Sequence, residues 1–290
     1  MKDLLKLLGC WAAFAASLVC SGILIGALHL HTNHPTNMDT GPMHIFTVFA
    51  AGGLLVLGLW PLARGLAGPS AARVTVVGVF LLLALGVNTI LDGLIYTTMF
   101  DGAVFGSMLM YGSQALLVGC ALGLCFGKGG RPDGFPTRNW IAWTGRGLIA
   151  WLAWPVIYLF FGMCIAPIAV PYYQNGSILW LHIPPMGTIV SIQLVRSVIF
   201  LGASLPLIAL WRGSRLRLWL ALGLAHAVSV GIYGLAAATF LPGVLRITHS
   251  VEITCGSFVY AGLLVLLFSA PAAAKAAAAV AHHDAAQHAS

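Results

Sequence analysis

Eight apolar stretches constrain this chain more than any other feature. They run at roughly 7–29, 44–62, 75–98, 104–127, 148–170, 186–210, 217–241 and 246–269. Each holds the twenty or so mostly apolar residues that a helix needs to cross a bilayer. Hydrocarbon offers no water to peptide N–H and C=O groups, so a spanning segment bonds its own backbone, as a helix does. Composition closes the alternatives. Charged residues make up 7% of the 290, hydrophobic residues 60%, and the mean hydropathy is +0.95. A soluble domain carries about 25% charged residues. A water-exposed surface cannot hide this much apolar side chain. A cytosolic enzyme, a secreted domain and a disordered chain are thereby excluded. The expected fold class is an all-α integral membrane protein with eight transmembrane helices.

The charges set an expected orientation. Lys2 and Lys6 precede the first stretch, and Arg64 and Arg73 lie between the second and third. Lys128, Arg131, Arg138 and Arg146 fall between the fourth and fifth. Arg212, Arg215 and Arg217 lie between the sixth and seventh, and Lys275 follows the eighth. Twelve of the 14 basic residues therefore share one side, and the exceptions are Arg196 and Arg246. The excess of Lys and Arg in cytoplasmic loops makes that side, with both termini, cytoplasmic. Net charge +7 and a pI near 9.3 then report membrane topology rather than a nucleic-acid partner. The first stretch continues to Leu30 without a small-residue cleavage site, and reads as a span rather than a signal peptide. An Ala- and Leu-rich chain of this kind is expected in a bacterial inner membrane, as a multi-pass protein whose first partner is the lipid bilayer.

Two copies of one unit are expected. Residues 93–102 (GLIYTTMFDG) and 234–243 (GLAAATFLPG) share Gly93, Leu94, Thr98 and Gly102 with Gly234, Leu235, Thr239 and Gly243. Pro42-Met43 and Pro185-Met186 open the second and sixth spans. The reading is a four-span unit at 1–127, a basic Gly/Pro-rich linker at 128–147, a second four-span unit at 148–269, and an Ala-rich tail at 270–290. Four spans per copy give both copies one orientation, a parallel repeat. Gly22 and Gly26, and Gly119, Gly123 and Gly127, recur at the spacing that lets helices approach closely. The six cysteines form no CxxC and read as small hydrophobes within apolar runs.

Ionisable side chains in hydrocarbon cost from about 2.5 kcal/mol upward, so each needs a partner or a purpose. Asp92, Arg196, His226 and Glu252 lie well inside spans. Asn88, Asp92 and Tyr96 share a helix face, Gln193 stands one turn from Arg196, and Arg246, His249 and Glu252 are spaced by three. The repeat aligns Glu252 with Tyr111, His249 with Met108, Arg246 with Phe105 and His226 with Leu85, so the first copy is mostly apolar where the second is ionisable. Asp92, Arg196, His226, Arg246, His249 and Glu252 are the candidate ligand-binding residues. Glu252 is expected to pair with Arg196 or His226, and Arg196 with Glu252 or Asp92.

A second group of polar residues is expected outside. His29, His31, His34, Met38, Asp39, Met43 and His44 crowd the loop after the first span, and His182 follows the fifth. Imidazole and thioether suit copper, and imidazole pairs ligate haem. His29, His31, His34, His44 and His182 are therefore weak metal candidates, but they form no standard motif, and the expectation is no cofactor. Tyr172, Tyr173 and Trp180 read as interfacial anchors. The sequence has no phosphate-binding loop, nucleophile elbow or dinucleotide fingerprint, which argues against an enzyme. The leading expectation is a carrier or small-molecule-binding membrane protein with its site in the second unit. The alternatives are a haem- or metal-binding redox protein and a non-catalytic scaffold whose charges only fix helix register.

Overall fold

The computed structural model describes residues 1–31, 42–98, 102–136, 138–174 and 181–269. It contains eight helices long and apolar enough to cross a membrane: α1 (Lys2–Ala27), α2 (Pro42–Gly65), α3 (Ser70–Tyr96), α4 (Val104–Cys125), α5 (Trp140–Gln174), α6 (Met186–Leu210), α7 (Arg215–Ala237) and α8 (Gly243–Phe268). No strand occurs among the described residues, only isolated bridges between loops. The chain is thus an all-helical, multi-pass membrane protein. Large apolar side chains such as Ile23, Leu116, Val156, Val198 and Leu266 point out of the bundle, as a lipid-facing surface requires.

One boundary differs from the sequence reading. α5 has 35 residues and begins at Trp140, inside the stretch read as linker. Its start is fixed by Asn139, whose side-chain oxygen accepts from the Ala142 amide at 2.8 Å, as a helix N-cap does. The basic residues ended the apolar run at this point, but a helix continues past the membrane surface where its polar side chains find partners. Arg146 finds one in the Leu267 carbonyl, 2.6 Å away.

Packing follows a regular scheme. α1 lies against α2 and α4, and α3 against α4. Likewise α5 lies against α6 and α8, and α7 against α8. Between the halves α2 meets α7, α3 meets α6, and α3 meets α7. Adding four to each label in the first half turns its contacts into those of the second. The α3–α4 contact rests on glycine: a Cβ on Gly119 would stand 2.8 Å from the Gly78 Cα, and one on Gly123 would stand 2.6 Å from the Val74 Cα. Gly22 and Gly26, by contrast, face open space and hold no helix contact. Among the cysteines Cys10 is buried, while Cys20, Cys164 and Cys255 face outward, and all six are free.

The helices α3 and α7 each widen into a π-helical segment, Leu81–Val87 and Val228–Ile232, and the two segments touch at the centre of the bundle. Such widenings are rare and recur at functional sites. At the end where α1 starts and α8 ends, three connections weave together: the Ala67 amide donates to Leu210 O, Lys128 to Leu66 O and Arg212 to Gly65 O, all within 2.9 Å. Buried Arg73 locks the same end by donating to Gly68 O, Gly123 O and the Ser70 hydroxyl. Toward the opposite, distal end the described residues line a cavity.

Candidate functional site

A cavity of about 490 Å³ opens between the two halves. It runs from distal residues such as Thr97, Leu181 and Leu241 down to Trp154 and Arg196. Arg196 lies ten residues beyond Met186, which at 1.5 Å per residue places it about 15 Å below the distal end of α6. Most of the wall is apolar or aromatic, including Ile157, Phe161, Val230 and Ile253. Deep in this wall stand four side chains that come as two pairs: Asp92 from α3, Arg196 from α6, and His249 and Glu252 from α8.

These four form two pairs. Arg196 pairs with Asp92 through Nη2. The guanidinium is 4% exposed and the carboxylate 39%, so the arginine is embedded in the wall while the aspartate looks into the cavity. Gln193 Oε1 supports the arginine, accepting from Arg196 Nη1 at 3.4 Å and from Trp154 Nε1 at 2.9 Å. The second pair is His249 Nδ1 with Glu252 Oε2 at 2.8 Å. Tyr173 extends it, with its hydroxyl 3.2 Å from His249 Nε2. An ionised carboxylate only accepts, so Nδ1 then carries the proton, and in that tautomer of the neutral ring Nε2 accepts from the Tyr173 hydroxyl. The other Glu252 oxygen, Oε1, faces Gly162 of α5, 3.6 Å from where a Cβ would stand. Tyr96 and Tyr158 join hydroxyls across α3 and α5 at 2.9 Å.

The expected residues divide accordingly. Asp92, Arg196, His249 and Glu252 share one cavity wall. His226 does not reach it. It is buried in a ring cage of Phe80, Phe200 and Tyr260, with Ser204 Oγ 2.8 Å from Nε2. Arg246 turns away, donating to Leu235 O and Ala236 O at the end of α7 and lining a separate groove. Glu252 pairs with His249, neither with Arg196 nor with His226, because α3 brings Asp92 to the arginine first. Tyr173, read as an interfacial anchor, is instead a hydrogen-bond partner within the site. Trp154 and Tyr158 escaped the sequence reading, since nothing in the apolar run of α5 distinguishes them from lipid-facing aromatics.

Of the external histidines, His44 lines the cavity mouth and meets Thr239 Oγ1 at 3.1 Å. His182 donates its backbone amide to Tyr96 O. His34, Met38, Asp39 and Trp180 lie outside the described residues. Among the described residues no three His, Cys, Asp or Glu side chains gather as a metal centre would need. No family model, no characterised protein and no solved structure matches the chain.

Proposed function

We propose that this protein is a carrier or small-molecule-binding protein of the membrane, and that its ligand occupies the cavity between the two four-helix halves. One observation carries the reading: the Asp92–Arg196 ion pair and the hydrogen-bonded His249–Glu252 pair both stand on the wall of a 490 Å³ cavity rather than in packed core. Charges that serve only to fix helix register are best enclosed by protein, where nothing competes for them. Here the Asp92 carboxylate is left open, and polar groups converging in an apolar pocket are the usual form of a small-molecule site. The lining suits a ligand with a charged or polar head against Asp92, Arg196, His249 and Glu252 and an apolar body against Ile157, Phe161 and Ile253.

A duplicated scaffold supports the same reading. The packing scheme repeats between the halves, and Tyr111, the residue aligned with Glu252, also lines the cavity. Two copies of one unit meeting around a site is a recurrent carrier design. In this arrangement the second copy supplies His249 and Glu252, and the first supplies a tyrosine and the Asp92 that engages Arg196.

The test is a thermal-stability screen of purified protein in phosphatidylcholine nanodiscs, using eight- to ten-carbon amines, carboxylates and zwitterions as probes. A ligand that binds only the folded state raises the midpoint with its concentration. At least one probe class is expected to do so in the native protein and to lose its effect in Asp92→Asn or Glu252→Gln. Midpoints that no probe class moves, or that move equally in native and variant proteins, contradict the proposal.

A further inference from the structure

The end of the bundle where α1 starts and α8 ends holds a cluster of arginines apart from the cavity. Three arginines from different segments converge on the last turn of α8. Arg138, in the connection before α5, and Arg146, on α5, both donate to Leu267 O, at 2.8 and 2.6 Å. Arg215, at the start of α7, donates to Ser269 Oγ and Ser269 O at 2.8 and 2.7 Å. The carbonyls at a helix C-terminus are partly negative and attract cations. That is equivalent to about half a charge, against three full ones. None of the three arginines forms an ion pair among the described residues. Desolvation, and after it the charges of Arg146 and Arg215, lower the pKa of Arg138, so the guanidinium groups repel one another and, among the described residues, the cluster is short of negative charge.

The surroundings are those of a membrane interface. Trp140 and Ile141 are exposed beside Arg138, and Leu216 and Trp219 are exposed beside Arg215. Tryptophan concentrates at headgroup level, and exposed isoleucine and leucine suit acyl chains. Each guanidinium presents five N–H donors in a planar fork, only part of which the carbonyls use, and that fork matches phosphate oxygens.

We infer that the Arg138–Arg146–Arg215 cluster binds a phosphate-bearing anion at the membrane surface, with the phosphodiester headgroup of an anionic phospholipid as its ligand. The phosphate bridges the three guanidiniums, relieves their repulsion and ties the linker, α5 and α7 to the end of α8. Basic pockets between spans are a general means of recognising such headgroups.

Native mass spectrometry of the full chain, released from detergent after titration with phosphatidylglycerol, phosphatidylcholine or glycerol phosphate alone, tests this. The native protein is expected to hold phosphatidylglycerol at least about tenfold more tightly than phosphatidylcholine, the equivalent of one charge-assisted hydrogen bond or more. Arg138→Gln and Arg146→Gln are expected to remove that preference. Arg217→Gln, at an exposed arginine outside the cluster, is expected to keep it. Arg146→Lys, which keeps the charge but loses the fork, is expected to fall between and guards against simple misfolding of the Gln variants. Tight binding of glycerol phosphate without a lipid preference supports the phosphate chemistry and names the soluble anion as its source. Equal binding of the two lipids with no glycerol phosphate bound, or equal loss in Arg146→Gln and Arg217→Gln, overturns the proposal.

Discussion

At the scale of single residues, Glu252 separates a binding role from a structural one. Glu252→Gln keeps the shape and one acceptor for His249 Nδ1, so the protein is expected to insert and to lose no more than about 1 kcal/mol, measured by thermal unfolding in nanodiscs. Its response to cavity ligands is expected to vanish. Arg196→Ala behaves differently, because it strands the Asp92 carboxylate beside the apolar wall. Combining it with Asp92→Asn is expected to restore much of the lost stability, with a coupling on the order of 1 kcal/mol in a double-mutant cycle. A coupling indistinguishable from zero would mean that the Asp92–Arg196 contact carries no energy. His226 marks the limit of sequence reasoning at this scale. Counting 1.5 Å per residue gives the height of a side chain in the membrane, but not the direction it faces. His226 and Arg196 share a height, yet one faces three aromatic rings and the other a cavity. His226→Phe is therefore expected to cost about 1–3 kcal/mol by leaving Ser204 without its partner, while ligand-induced stabilisation stays unchanged. Loss of ligand response in that variant would return His226 to the site.

At the scale of helices, glycine separates contacts that look alike in sequence. Gly123 lies on the Val74 backbone, whereas Gly22 faces open space. Gly123→Leu is expected to force α3 and α4 apart and to destabilise the protein by about 1–3 kcal/mol or more, while Gly22→Leu leaves the unfolding midpoint within a degree or two. Equal effects in the same assay would contradict the packing described for α4. The eight spans were legible because apolar length alone specifies them. The start of α5 was not, since positive charge and helix continuation are compatible once Asn139 caps the helix and Arg146 finds Leu267. The two π-helical segments left no mark in the apolar pattern either. Their sequences, LLLALGV and VSVGI, read as ordinary span, and their widening becomes visible only where α3 and α7 meet.

At the scale of the whole molecule, the even span count places the start of α1 and the end of α8 on one face, together with the woven connections and the arginine cluster. The distribution of basic residues predicts that this face is cytoplasmic. A reporter fused after Lys128 should then read inside and one inserted near residue 175 should read outside; both on one side would contradict the span order. The location of the polar site was half legible. Spacing by three on α8 selected His249 and Glu252, but the tertiary fold decided that α3, α5 and α6 complete the wall.

The central claim is that intramembrane charges line an open cavity reached from the distal face, and thiol accessibility tests it most directly. In a background lacking the six native cysteines, Met110→Cys places a thiol on the cavity wall, and Ser204→Cys places one in the packed core beside His226. In proteoliposomes, a membrane-impermeant thiol reagent added on the distal side is expected to label Cys at 110 and to spare Cys at 204. Labelling at neither position would mean that the charges sit in closed protein with no binding site around them, and labelling at both alike would mean that the core beside His226 is as open as the cavity wall, which contradicts the distinction between them.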